Sequence, residues 1–257
     1  MFLSAHVAEV GVGKAITALR SRPDPAAIDG LRYAGTWLTA SLRTGLFPSL
    51  AVTGAILIAA WDDDESLDRY LSHPLAKPYE RGWRARLEPA RSIGTLPGLP
   101  DLPRQERPTG DQPVAAFTVG RVRANRFLPF IVTAAAAERD AVRHPGFIEG
   151  VTIVRPPLVI GTFSLWRNAR EMRQYAVGSY PGGHSRAIKK DQEGQFNHEM
   201  FFSRYRPYAA EGQWKGRNPL AMLAPPSDSL GPAQGTRVGD PVGSVPRHTE
   251  PSEGWRV

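Results

Sequence analysis

The second half of the chain carries the clearer pattern of apolar and polar positions. Val114–Arg123 (VAAFTVGRVR) is β-rich and roughly alternating, which predicts a strand. Phe127, Ile131, Ala134 and Ala141 fall near one face of a helix that runs to about Arg143. Phe147–Val154 and Leu158–Trp166 read as strands, joined at Arg155-Pro156-Pro157, a turn. Ala169–Ala176 is helical, a further helical turn starts at about His184, and Met200–Tyr205 closes the half as a strand. The first half offers Leu3–Val10, Lys14–Arg20, Gly30–Leu42, Ala51–Trp61 and Glu65–Leu71, with a weakly marked last strand near Ala90–Leu96.

The two halves match each other. Ile28-Asp29-Gly30 stands where Ile148-Glu149-Gly150 stands, Trp61 corresponds to Trp166, and Tyr70 to Tyr175. The first half holds about 15 more residues between its Ile-Asp-Gly and its Trp, which implies a longer hairpin. Each half reads β-α-β-β-α-β, the ferredoxin-like split unit. Two such sheets bury their apolar faces by packing together, so the predicted class is α+β, an internally duplicated barrel of two tandem ferredoxin-like modules. The modules span 1–96 and 114–210. Between them, 97–113 is a Pro-rich linker without helical or strand period, and 211–257 is a Pro/Gly-rich extension. From about residue 225 that extension is about a third Pro and Gly with isolated apolar residues, too little to offset its ordering entropy, so it is predicted to be disordered.

Composition narrows the chemistry. With 41% hydrophobic and 22% charged residues the chain can bury a sizeable core. No run approaches the roughly 20 apolar residues of a spanning helix. The absence of cysteine removes disulfide scaffolds, zinc ribbons, cysteine-ligated iron–sulfur clusters, cysteinyl nucleophiles and thiolate-bound haem. A formal charge of +7 favours anionic partners without naming one, and the scattered Lys and Arg form no nucleic-acid reading motif. MFLSAHVAEVGVGK lacks the basic start and unbroken apolar run of a secretion signal, so a cytoplasmic location is the expectation.

Six histidines are the natural candidates for chemistry. His248 lies in the tail, while His73 and His144 sit at helix stops before proline, and His6 alternates with apolar neighbours in the first strand. His198 adjoins Glu199 on a strand, where neighbours point to opposite faces and cannot share a metal. His184 follows a Gly-Gly entry and shares a helical face with Ala187 and Ile188, a placement that can project imidazole into a barrel interior. Core packing or helix capping accounts for the same placement. Asp62-Asp63-Asp64-Glu65 opens a helix, where carboxylates favour the positive dipole end. GVGK (11–14) lacks the remaining parts of a phosphate loop.

Over 161–207, Gly161, Phe163, Ser164, Leu165 and Trp166, then Tyr175, His184, Glu199, Phe202, Arg204 and Tyr205 resemble the C-terminal pattern of the spheroidene monooxygenase family. RVRANRFLPF (121–130) resembles that family's strand-to-helix entry. The resemblance implies an α+β barrel of the dimeric ferredoxin-like superfamily, a haem cofactor and ketone-forming oxygenation of a carotenoid or other terpenoid. By the same resemblance His184 is the candidate axial ligand of haem iron, Arg204 a partner for a propionate, and Phe163, Trp166 and Phe202 pocket-lining residues. Two other functions fit such a barrel: a cofactor-free monooxygenase of the antibiotic-biosynthesis type, and a non-catalytic binder of an apolar ligand. Partners are then an apolar small molecule held in a barrel cavity and, since the tandem modules already pair, either no second chain or one more copy in a homodimer.

Truncation after Leu223 is expected to leave cooperative unfolding unchanged in a denaturant titration, because the residues beyond lack any apolar period. Loss of the cooperative transition contradicts a dispensable tail.

Overall fold

The structure is a computed structural model that describes residues 1–42, 51–105, 107, 109–177 and 196–223. The tail beyond residue 223, and with it the disorder expected there, lies outside the described residues. Among them, eight strands and four α-helices follow in chain order: β1 (Phe2–Ala8), α1 (Gly11–Arg20), β2 (Leu31–Ser41), β3 (Val52–Trp61), α2 (Asp64–Leu71), β4 (Trp83–Ile93), β5 (Val114–Val122), α3 (Phe127–Arg143), β6 (Phe147–Arg155), β7 (Val159–Trp166), α4 (Ala169–Val177) and β8 (Asn197–Gly212). The strands pair antiparallel in the order β1-β3-β2-β6-β7-β5-β8-β4 and close into a barrel. The α+β class and the barrel are therefore as the sequence predicts.

Closure follows from strict alternation. Leu3, Ala5 and Val7 on β1, Ile56, Ile58 and Ala60 on β3, and Phe117 and Val119 on β5 turn inward with Trp37, Trp83, Phe163, Phe201 and Tyr205. Trp37 packs edge-on against Phe117 at 5.2 Å between ring centroids, and Trp83 lies 5.5 Å from Trp214. Each buried large apolar side chain contributes roughly 1.5–3 kcal/mol, so this interior is the main stabilising mass. Leu102, Trp214 and Leu220, from outside the strands, join the same cluster.

Two strands depart from the expected limits. The strand expected near Ala90–Leu96 begins at Trp83, and the one expected at Met200–Tyr205 runs from Asn197 to Gly212. Both contain a proline, Pro89 and Pro207, which cannot donate to a ladder and reads as a strand stop. The β4–β8 ladder absorbs them with register shifts between Arg86 and Leu87 and between Pro89 and Arg91. A six-residue 3-10 helix, Pro74–Tyr79, is also absent from the sequence reading; His73 caps it by accepting from the Leu75 amide at 3.2 Å. The described residues of 97–113 form neither helix nor strand, but they are no free tether. Ser92 donates its amide to the Pro103 carbonyl and Arg107 donates to Ala90, folding the segment along β4.

Outside the barrel, α1 and α2 cover the first-half sheet. Asp63 caps α2 by accepting from the Ser66 amide at 2.8 Å, which accounts for the acidic run before it. Trp61 packs on Tyr70 at 5.1 Å and donates Nε1–H to Ser4 Oγ at 2.8 Å, leaving the Ser4 hydroxyl hydrogen for His6 Nε2 at 2.9 Å. Burial, reinforced by Arg84 and Arg86, lowers the His6 pKa to about 3, so the imidazole is neutral in the fold.

Because the folded pKa lies below the ordinary 6.5, the unfolded chain alone takes up a proton as pH falls from 6.5 toward 3. Stability is expected to hold above pH 6.5 and to drop below it by up to about 1.4 kcal/mol per pH unit for this one group. Urea unfolding at pH 7, 6 and 5 checks this against His6→Gln, whose slope is expected to be shallower by about one proton. Equal slopes contradict a buried neutral His6.

Candidate active site

The outward face of the second-half sheet differs from that of the first. Ala116, Thr118 and Gly120 on β5, Thr152 on β6, and Gly161, Thr162 and Ser164 on β7 are small, and the side chains of α3 and α4 do not fill the space above them. The space left is a cavity of about 190 Å³, walled by Phe130, Phe147, Trp166, Met172, Met200 and Phe202. A second cavity of about 170 Å³ adjoins it toward Leu38 and Val52 of the first half; Phe130, Ala134, Glu138, Thr152 and Ile160 line both. The walls are apolar with a few convergent polar groups, the usual make-up of a small-molecule site.

One carboxylate enters this apolar space. Glu138 is buried on α3 and accepts a hydrogen bond from Thr152 Oγ1 at 2.5 Å. Such a group is an acceptor fixed at the meeting point of the two cavities. The aromatic wall is equally fixed. Trp166 donates to Ser164 Oγ at 2.9 Å and stacks on Tyr175 at 4.9 Å. The Tyr175 hydroxyl donates to the Ala137 carbonyl at 3.0 Å, and burial pushes its pKa up, so it stays protonated. His144, at the C-cap of α3, accepts from the Gly146 amide at 3.0 Å and packs on Trp166 at 5.6 Å.

Of the residues singled out in the sequence, Trp166 and Phe202 line the cavity. Phe163 does not: it points inward from β7 and packs 6.3 Å from both Trp83 and Trp214. The alternation of β7 separates it from Ser164 and Trp166, which face the helices. Arg204 is buried on β8, on the same face as Phe202, with Ala116 and Arg91 as its register partners, and it is not among the lining residues. His198 is exposed on β8. His184 lies outside the described residues.

Glu138 escaped the sequence reading. Its position completes the face drawn by Phe127, Ile131 and Ala134, and a carboxylate in the middle of an apolar helix face is the signal that reveals it. A groove of about 770 Å³ elsewhere, against α2, β4 and β8, is larger but its walls are ion-paired: Arg84 with Glu211 at 2.5 Å, and Arg86 with Asp64 and Asp68.

No family model matches the chain. Three curated relatives do, each a spheroidene monooxygenase. That of Rhodobacter capsulatus is 29% identical over 64% of this chain and 71% of its own length. The Rubrivivax gelatinosus protein is 29% identical over 67% of each. The Cereibacter sphaeroides protein is 25% identical over 72% of this chain, and the match spans 60% of its length, less than two thirds. A solved anthrone oxidase-like protein resembles the fold at a TM-score of 0.32, with 14% identity over 87% of this chain and 94% of that one. The expected resemblance to spheroidene monooxygenases is borne out, and with it the expectation of a monooxygenase-type oxidoreductase.

The cavity floor makes a specific demand. A Cβ on Gly161 meets the Thr118 carbonyl oxygen at 1.9 Å, whereas one on Gly13 of α1 meets nothing within 4 Å. Gly161→Ala is expected to destabilise by about 1–3 kcal/mol as β5 and β7 are forced apart. Gly13→Ala is expected to stabilise by roughly 0.5–1 kcal/mol in the same urea titration. Tolerance of alanine at 161 contradicts the strand spacing.

Proposed function

We propose that this relative of the spheroidene monooxygenases oxygenates an apolar, carotenoid- or terpenoid-like small molecule held between the outer face of β5–β7 and helices α3 and α4. The observation that carries the reading is the floor of small residues beneath an aromatic wall, which leaves an apolar space between the sheet and its helices. The two halves are read here as tandem ferredoxin-like modules, the second of which holds the site. The curated relatives support the reaction class.

Haem is the proposed cofactor. His184 is the proposed iron ligand, as the resemblance implies; the cavity's described lining residues hold no imidazole. That residue is seven positions beyond Val177 and thirteen before Asn197, and Ala176 and Asn197 both line the cavity. Bound haem supplies the iron at which O₂ is reduced with electrons from an external donor. The chain does the rest. Phe130, Trp166 and Phe202 hold the substrate and exclude water, which strengthens every polar contact inside. Glu138, fixed by Thr152, holds or takes a proton at its carboxylate oxygens. Arg204 is the proposed partner for a propionate, as the resemblance implies.

A second reading rests on Glu138 itself. A buried carboxylate beside an apolar ligand can remove a proton from carbon, and a cofactor-free oxygenase requires such a base to form the carbanion that reacts with O₂.

Haem titration separates the two. The purified protein is expected to give a Soret band on addition of haem, His184→Ala to lose it with unchanged circular dichroism, and His198→Ala to keep it. An unchanged band in His184→Ala contradicts that ligand. A flat titration of the wild type removes haem and leaves the carbanion route, in which Glu138→Gln abolishes metal-free turnover.

A further inference from the structure

The same two turns of α3 that wall the cavities are apolar on their other side. Phe127, Phe130 and Ile131 face inward and line the space, whereas Leu128 is 75% and Val132 59% exposed. Their four-residue spacing sets them one above the other on the helix surface. Isolated exposed apolar residues need no explanation, but Leu128 and Val132 are neighbours one turn apart on the same helix end and make a continuous apolar strip. Its surroundings are cationic. Arg121, Arg123 and Arg126 lie within seven positions before Leu128, with Arg121 and Arg126 exposed and Arg123 donating to the Asn197 carbonyl at 3.4 Å. Glu199, opposite Arg121 on β8, is the acid that the register brings to them, and the first turn of α3 contains none.

We infer that the start of α3 docks on an anionic phospholipid surface, with Leu128 and Val132 in the acyl boundary and Arg121 and Arg126 at the phosphates. Apolar insertion flanked by arginines is the chemistry of an interfacial helix. Each arginine adds attraction to an anionic leaflet that salt screens. No described helix is long and apolar enough to cross a membrane, so the contact is peripheral in kind. The purpose of docking rests on the proposed apolar substrate. A molecule dissolved in lipid then has about one helix diameter, roughly 10 Å, between the bilayer and the cavity wall.

Vesicle flotation of the full chain tests the surface without any substrate. The protein is expected to float with phosphatidylcholine/phosphatidylglycerol vesicles, less with phosphatidylcholine alone, and less as salt rises. Leu128→Ser with Val132→Ser is expected to lower binding about ten-fold or more. Both sites are exposed, so the thermal transition is expected to stay in place. Arg121→Gln with Arg126→Gln is expected to remove most of the salt dependence. Failure of the wild type to float, or flotation of the serine variant like wild type, overturns the inference. A self-association that the serine variant abolishes, without vesicle binding, overturns it too and assigns the patch to a second copy. Haem and ligand binding from detergent are expected to be unchanged in the serine variant, so failure of the docking leaves the proposed function standing.

Discussion

Inward-facing aromatic rings set the terms for the rest of this molecule. Eight strands close only if each presents alternate side chains to a shared interior, and here that interior holds Trp37, Trp83, Phe117, Phe163 and Phe201, with Trp214 added from beyond β8. A packed interior of this kind is stabilising and leaves the outward faces, under the helices, as the place for a ligand. The position of Phe163 shows the division most plainly. One residue along β7 changes a side chain from barrel filler to cavity wall.

The two outward faces divide along the same logic. Over the first half, Leu57, Trp61, Tyr70 and Tyr79 pack into a continuous cluster, and His6 is neutral within it. Over the second, glycine, alanine, serine and threonine replace bulk, and Glu138 is held by Thr152. Trp166 on Tyr175 repeats the geometry of Trp61 on Tyr70, so the frame around the two spaces is alike while the floor is not.

Much of this was legible in the sequence. The alternation of Val114–Val122 and Val159–Trp166, the apolar face of α3 and the matched tryptophans follow from side-chain period alone, and they lead to the α+β barrel. What the period does not convey is which face each residue takes once the register is set. Phe163 and Phe202 both read as lining, but only Phe202 lies on the helix-facing side. The limits of β4 and β8 were hidden by Pro89 and Pro207, whose cost is absorbed by irregular register between those two strands. Glu138 was obscured by the charged company of AAAAERDAVR, although its spacing from Phe127, Ile131 and Ala134 puts it on the apolar face that α3 turns toward Thr152. His184 carries its chemical expectation from resemblance, with no described geometry behind it.

The proposed ligand site lies outside the barrel, on the small-residue floor of the second half. Retinol fluorescence titrated against the wild type and Thr162→Trp tests it most directly, since Thr162 is half-buried on that floor and the larger ring fills the space. Saturable binding to the wild type is expected, with a loss of about ten-fold or more in the variant at an unshifted thermal transition. Undiminished binding by Thr162→Trp would place the ligand elsewhere and contradict the assignment.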